Sequence, residues 1–300
     1  YGLDQCLDLV EAAMQAEPSP HGLSADWLIG EGMALTMIDT VPPGGHIADA
    51  TIAMRADGGF DLTVGTAEFG NGTSTVHKQI AATTLNTTVD RIHLRQSDTA
   101  HGGHDTGAYG STGTFVAGRA TQAAADNLAA LMKDGNGDLL SASGTSAGTP
   151  RSVAFNVQAF RIAVNKRSGE LTILKSVQAA DAGRVANPMQ LRGQIEGGVA
   201  QSLGATLYEE MVIDATGRVV NPKFRDYHLP SFADCPRTEV LFAQTTDSIG
   251  PMGAKSMSES PYNPVAAAMG NALFDATGIR FTQTPFKPDR LFAKLNEKFG

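Results

Sequence analysis

The feature that most constrains this chain is its alternation of β-hairpins with helices. "ADATIAMRADGGFDLTVGTAEFG" alternates apolar and polar residues on both sides of a turn at "ADGG". "VAFNVQAFRIAVNKRSGELTILKSVQAAD" reads as a long hairpin turning at "NKRSGE", and a third hairpin is predicted at "DATGR". "IGEGMALTMIDTV", "RIHLRQS" and "TEVLFAQTT" read as further strands. Between them, apolar residues recur at helical spacing from Leu3 to Met14 and in "STVHKQIAATTL", "TFVAGRATQAAADNLAALMK", "NPMQLRGQIEGGVAQSLGATLYEEM", "NPVAAAMGNALFDATG" and "KPDRLFAKL". A tight turn gives antiparallel neighbours, whereas a doubly wound fold needs a helix between every strand pair. The expectation is therefore an α+β fold with mixed, largely antiparallel sheets and packed helices.

"SPHG" marks a loop, and "DGNGDLLSASGTSAGTP", Asp134 to Pro150, is expected to be an internal boundary or a long surface loop. It divides the chain into two α+β subdomains, 1–150 and 151–300. Residues 47–85 and 153–208 share a hairpin-then-helix order, which hints at duplication without a matching sequence period. Asn263 is a good N-cap for the helix that Gly278 should end.

Composition narrows the function. The net charge is -8 and no Lys/Arg cluster occurs, which argues against a nucleic-acid partner. The longest apolar runs are too short to span a bilayer, and the opening "YGLDQCLDLVEAAM" is an amphipathic helix rather than a signal peptide. Two cysteines, Cys6 and Cys235, exclude a disulfide framework, a four-cysteine zinc site and an iron–sulfur cluster within this chain. Buried, reduced thiols in a cytoplasmic setting are the expectation.

Four loops look unlike scaffold. "GTAEFGNGTST", Gly65 to Thr75, runs from a strand through a glycine turn into a helix. It is either a tight connection or a site where N–H groups at a helix N-terminus receive an anion. "HGGHDTGAYGSTGT", His101 to Thr114, also precedes a helix and offers hydroxyls. Its His101, His104 and Asp105 allow a rival reading, a metal-dependent hydrolase. "GQIEGGVAQSLG" places Gln194, Glu196 and Gln201 on a helix whose glycines permit close approach by a backbone or a ligand. Finally, "GPMGAKSMSESPYNP" holds a single carboxylate, Glu259, among small residues before a helix. From this stretch alone, a helix-dipole role and a poised general base both stand.

Taken together and in order, these loops resemble the molybdenum hydroxylase family, which includes xanthine dehydrogenase and aldehyde oxidase. The resemblance is to the C-terminal half of the molybdopterin-binding region and runs roughly from Trp27 to Leu295. The family's "EMGQG" turn is similar to "EFGNG" here, Glu68 to Gly72, and its "GQIEGGxxQGLG" helix to "GQIEGGVAQSLG". "RIHLRQSDT" with "TGAYGSTGT", "DATGRVVNPKFRDYHLPSFADCPRTEV" and "GAKSMSESP" follow further family patterns.

The resemblance implies that 1–150 and 151–300 are subdomains of that region, with the catalytic loop in the second. It implies that Glu259 is the general base of a hydroxylation of an N-heterocycle or aldehyde. The oxygen comes from water, and electrons leave through molybdopterin. Gln194 corresponds to a pterin-bonding glutamine. Gly70, Asn71 and Gly72 form the first cofactor turn, and Ala108, Tyr109, Gly110, Ser111 and Thr112 the second. No side chain is a direct metal ligand. Asn71 stands in place of glutamine, and Ser256 and Ser258 in place of glycines, which alters the local backbone or adds hydrogen bonds. The upstream half of the binding region, the 2Fe–2S clusters and any FAD are expected on partner domains or subunits. A non-catalytic binding or assembly module keeping the fold is the alternative.

Overall fold

The computed structural model describes residues 1–18, 22–39, 45–134 and 139–300. Helix α1 (Leu3–Ala16) is followed by strands β1 (Trp27–Ile38), β2 (Ile47–Met54) and β3 (Phe60–Val64). Next come α2 (Thr73–Thr84), β4 (Ile92–Gln96), α3 (Gly118–Asp134) and β5 (Ser141–Ala147). A long hairpin, β6 (Ala154–Asn165) and β7 (Leu171–Ala180), leads into α4 (Pro188–Leu207) and β8 (Thr238–Phe242). Helices α5 (Val265–Thr277) and α6 (Pro288–Phe299) complete the chain.

The strands form two four-stranded sheets, ordered β1-β6-β7-β8 and β4-β3-β2-β5. Hairpins make the antiparallel neighbours; β4 on β3 and β8 on β7 are parallel because a helix intervenes. The fold is α+β, as the hairpin turns require. Two of the three predicted hairpin turns close where expected: Gly58 and Gly169 take positive φ, +79° and +73°. The 47–85 and 153–208 correspondence extends further than the sequence indicated. Each unit is a hairpin, a helix, a strand parallel to the hairpin's second strand, and then a helix packed under one more antiparallel strand. That last strand is β5 beside β2 in one unit and β1 beside β6 in the other. The second unit thus takes its last strand from the N-terminal side, and the sheets group 27–38 with 154–242, whereas the sequence division fell at 150.

Burial explains the layering. In α1, Cys6, Val10, Ala13 and Met14 share one face and cover Val157, Ala159, Val177 and Ala179 on one side of the first sheet. Helices α4, α5 and α6 cover Phe160, Ile162 and Val164 on the other side, which is why β6 is buried almost throughout. Helices α2 and α3 cover one face of the second sheet, whose strands accordingly alternate between buried and exposed residues.

Four expectations need correction. The stretch 141–147 is strand β5, not loop; its Ser/Gly/Thr composition hid the period, and Gly144 is needed because a Cβ there would strike the α3 backbone at Ala120 and Ala124. Residues 135–138 of that stretch, and Ser19–His21 of the "SPHG" loop, lie outside the described residues. "DATGR" makes a turn with a single bridge between Ile213 and Val219, not a hairpin of strands. Asn263 does not cap α5; Pro264 occupies that position, while Gly278 ends the helix in the left-handed region as expected. Helix α3 is preceded by a wider π turn over Gly113–Ala117.

Gly32 lies where β1 crosses α5, and a Cβ there would collide with the backbone of Ala268 and Ala272. Gly32→Ala is expected to lower stability by about 1–3 kcal/mol or more, as overpacking does. Chemical denaturation of the purified chain checks this, and an unchanged midpoint would contradict the close crossing.

Candidate functional site

The loops that follow β3, β4, β7 and β8 converge on one pocket of about 280 Å³. They are the equivalent loops of the two units. Phe69 and Asn71 come from the first, Ala108, Tyr109, Ser111 and Thr112 from the second. Ala182, Arg184 and Asn187 come from the third, and Lys255, Ser258 and Glu259 from the fourth. Helix α4 adds Gln190 and Gln194.

At the centre, two equivalent loops clasp each other. The exposed Glu259 carboxylate accepts the Gly110 N–H at 3.1 Å and the Ser111 hydroxyl at 3.4 Å. The Glu259 N–H donates back to Ser111 Oγ at 3.0 Å. Ser111 adopts a positive φ of 58°, which turns its hydroxyl toward Glu259 and its carbonyl toward Ser256. Ser256 Oγ donates to that carbonyl at 2.8 Å, so the serine that departs from the family glycine adds a hydrogen bond. Neither Ser256 nor Ser258 needs a glycine conformation.

The Glu259 loop is irregular but pinned. Lys255 Nζ donates to Asp181 at 2.7 Å in a buried pair, and to the Val153 carbonyl at 3.1 Å. Burial works to raise the Asp181 carboxyl, but the Lys255, Thr245 and Gly2 donors outweigh it and hold the group below its ordinary range. Gln178 donates to the Pro261 carbonyl at 2.9 Å, and Ser260 Oγ donates to Asn156.

The glycine turn at the start of α2 is a tight connection that already contains its own anion. Glu68 accepts N–H groups from Gly70 at 2.7 Å, Ser74 at 3.0 Å and Gly72 at 3.1 Å. Partial burial pushes this carboxyl up, and those donors overcome it, holding its pKa at about 2. Gly70 and Gly72 therefore have no N–H to spare for a ligand here. Asn71 is also used locally, its Oδ1 accepting from the Thr73 hydroxyl at 3.0 Å. Gly72 has a positive φ of 80°, and a Cβ there would press on the Gln190 amide at 2.9 Å.

Helix α4 starts with Asn187 capping the Gln190 N–H at 3.1 Å and Pro188 in the first turn. Gln194 Nε2 donates to the Ser258 carbonyl at 3.2 Å, joining the helix to the Glu259 loop. Gly193 and Gly197, one helical turn apart, face open space and line a second recess that shares Glu259 and Gln194. Gly198 is different: a Cβ there would meet Pro261 at 2.9 Å, so this glycine serves packing.

The hydrolase ligand set does not assemble. His101 pairs with Asp98 at 2.8 Å, Asp105 accepts the Gly107 N–H at 2.8 Å, and the backbone N–H of His104 donates to Asp49. Among the described residues, no group of three metal-ligating side chains converges. Gln190 and Arg184 were absent from the sequence expectations. Gln190 donates to Thr75 at 3.1 Å, while its Oε1 is buried without a partner beside the pocket. The "NP" cap that starts α4 was the available signal for Gln190, since it fixes which helical face turns to the pocket.

Comparison with known proteins identifies the family and the fold. The sequence profile of the molybdopterin cofactor-binding domain matches residues 6–147 and 140–236. The chain is 30% identical to the probable hypoxanthine oxidase XdhD of Escherichia coli over 93% of its length and 34% of that protein's. It is also 30% identical to the putative xanthine dehydrogenase molybdenum-binding subunit XdhA of Escherichia coli, over 86% and 40%. The fold superposes on the aldehyde oxidoreductase from Desulfovibrio gigas with a TM-score of 0.85 at 21% identity, covering 99% of this chain and 36% of that one. The chain belongs to the molybdopterin cofactor-binding domain family, and its curated relatives are molybdenum oxidoreductases. It spans 34% and 40% of the two Escherichia coli relatives' lengths.

The pocket wall suits such a group. Gln190 Oε1 is a buried acceptor without a partner, which a pterin N–H would satisfy, Arg184 lines the same pocket, and Gly193 and Gly197 leave the neighbouring recess open.

A depressed carboxyl contributes stability that is present above its ordinary pKa of 4.5 and is lost as pH falls toward 2. The melting-temperature gap between the protein and Glu68→Gln is therefore expected to be widest above about pH 5 and to close toward about pH 2. Thermal scans across that range check it, and a gap independent of pH would contradict the role given to Glu68.

Proposed function

We propose that this chain forms the Glu259 side of the catalytic cleft of a molybdenum hydroxylase acting on an N-heterocycle or an aldehyde. The observation that carries this reading is the Glu259 carboxylate, held at the pocket wall by Gly110 and Ser111 with small residues around it. Bound molybdopterin supplies the two-electron acceptor and the place where water-derived oxygen is delivered to the substrate. Gln194, Gln190, Ser111 and Thr112 hold the pterin by hydrogen bonds, Ala108 and Tyr109 line the approach, and Arg184 meets the phosphate. The Gly70–Asn71–Gly72 turn contributes shape and the Asn71 side chain. Glu259 takes up a proton at one carboxylate oxygen while the Gly110 N–H and the Ser111 hydroxyl fix the carboxylate's direction.

The other cofactor-binding half and the iron–sulfur and flavin carriers belong to partner domains or subunits. The names of the relatives support this, since several are molybdenum-binding subunits. Exposed apolar side chains, Phe224 and Phe232 among them, support association. Two free cysteines suit a reducing cytoplasm, and among the described residues no helix is long and apolar enough to cross a membrane.

Two outcomes test the reading. In the complete enzyme, Glu259→Gln is expected to lower turnover by about 10²–10⁴-fold, the range for a general base, with molybdenum and pterin content kept. Near-normal turnover would refute Glu259 as the general base. The isolated chain is expected to be metal-poor and inactive, because a cofactor held between two halves loses one wall. Elemental analysis with an artificial electron acceptor checks this, and stoichiometric molybdenum with hydroxylase activity would contradict it.

A further inference from the structure

Arg151 lies in the short link between β5 and β6, where the chain passes from one sheet to the other. It is 8% exposed, and no carboxylate among the described residues lies within ion-pair distance of it. A buried cation placed this way is costly unless its donors are satisfied. Here four neutral acceptors receive them, three from other segments and one, Gly148, from its own link. Its Nη1 donates to the Gly110 carbonyl at 2.7 Å and reaches Ser256 Oγ at 3.4 Å. Its Nε donates to the Gly148 carbonyl at 2.9 Å, and its Nη2 lies 2.6 Å from His46 Nδ1. The guanidinium also sits over the Phe115 ring at 5.8 Å.

Because a guanidinium can only donate, His46 Nδ1 must accept, so this imidazole is neutral with its proton on Nε2. Burial, reinforced by Arg151, lowers the His46 pKa and keeps that state. His46 is 1% exposed and its ring lies edge-on to Tyr109 at 4.7 Å, in the loop that carries Gly110. Gly148 completes the cradle, since a Cβ there would press on His46 at 2.8 Å.

We propose that Arg151 is a positioning residue: its guanidinium, oriented by His46, sets the Gly110–Ser111 turn that holds the Glu259 carboxylate. The inference rests on reading Glu259 as the base. Gly110 is gripped from both sides, its carbonyl by Arg151 and its N–H by Glu259. Arg151 also approaches Ser256, whose hydroxyl fixes the Ser111 carbonyl. Loss of the fork frees both anchors of the turn at once. Lysine keeps the charge but not the fork, and cannot serve four acceptors in these directions.

The test uses the complete holoenzyme with Arg151→Lys and Arg151→Ala. Turnover is expected to fall about 10–100-fold, the scale of a small misplacement, with KM and molybdopterin content unchanged. Added guanidinium ion is expected to restore part of the Arg151→Ala loss. Combined with Glu259→Gln, Arg151→Ala is expected to add little further loss, because both act through one group. Hydrogen exchange supplies a readout free of activity: amides of 107–115 and 254–260 should exchange faster in both variants, while β6 and β7 keep their protection. Unchanged exchange in those segments, or fully additive losses in the double variant, would overturn the proposal. Faster exchange together with an active Glu259→Gln enzyme would instead refute the base reading and leave the positioning role standing.

Discussion

The clasp between Glu259 and the Gly110–Ser111 turn is the contact on which the site depends. It joins the loop after β4 to the loop after β8, and so joins the two sheets at their shared pocket. A carboxylate in an irregular loop keeps one direction only if its neighbours are fixed. The Lys255–Asp181 pair, the Ser256 hydroxyl and the Ser260 hydroxyl do that from below. The Coulombic gain of a buried pair such as Lys255–Asp181 is offset by desolvation, so its contribution is better sought in loop geometry than in stability.

The shared topology of the two units explains why the clasp exists. Each unit places two loops beyond the C-terminal ends of its parallel strand pair, and equivalent loops from the two units face one another. The pairing repeats at the helix starts, where Gln190 of α4 lies on Gly72 and donates to Thr75 of α2. A pocket between two copies of one motif then needs no dedicated scaffold. What distinguishes the units is chemistry: one start is filled by its own Glu68, the other keeps an unpartnered Gln190 oxygen.

Much of this was legible in the sequence because hairpin turns and helical periods are local signals. The glycine turns and the end of α5 at Gly278 follow from residues next to one another, whereas Glu259 was singled out at the pocket only through the family resemblance. β5 was not legible, since its small residues carry no apolar alternation and its place is set by α3 packing on Gly144. The anion at α2 was missed for a different reason. A glycine turn before a helix signals N–H donors, but only the folded loop shows that Glu68 reaches back to fill them. Arg151 and His46 are 105 residues apart, and no spacing rule joins them.

The most direct measurement is an anomalous-scattering map, at the molybdenum edge, of the complete enzyme containing this chain. The account places the peak in the pocket beside the Glu259 carboxylate, with pterin density along Gln194 and the Ser111–Thr112 turn. A peak elsewhere, or a pocket closed by protein in an enzyme carrying stoichiometric molybdenum, would contradict it.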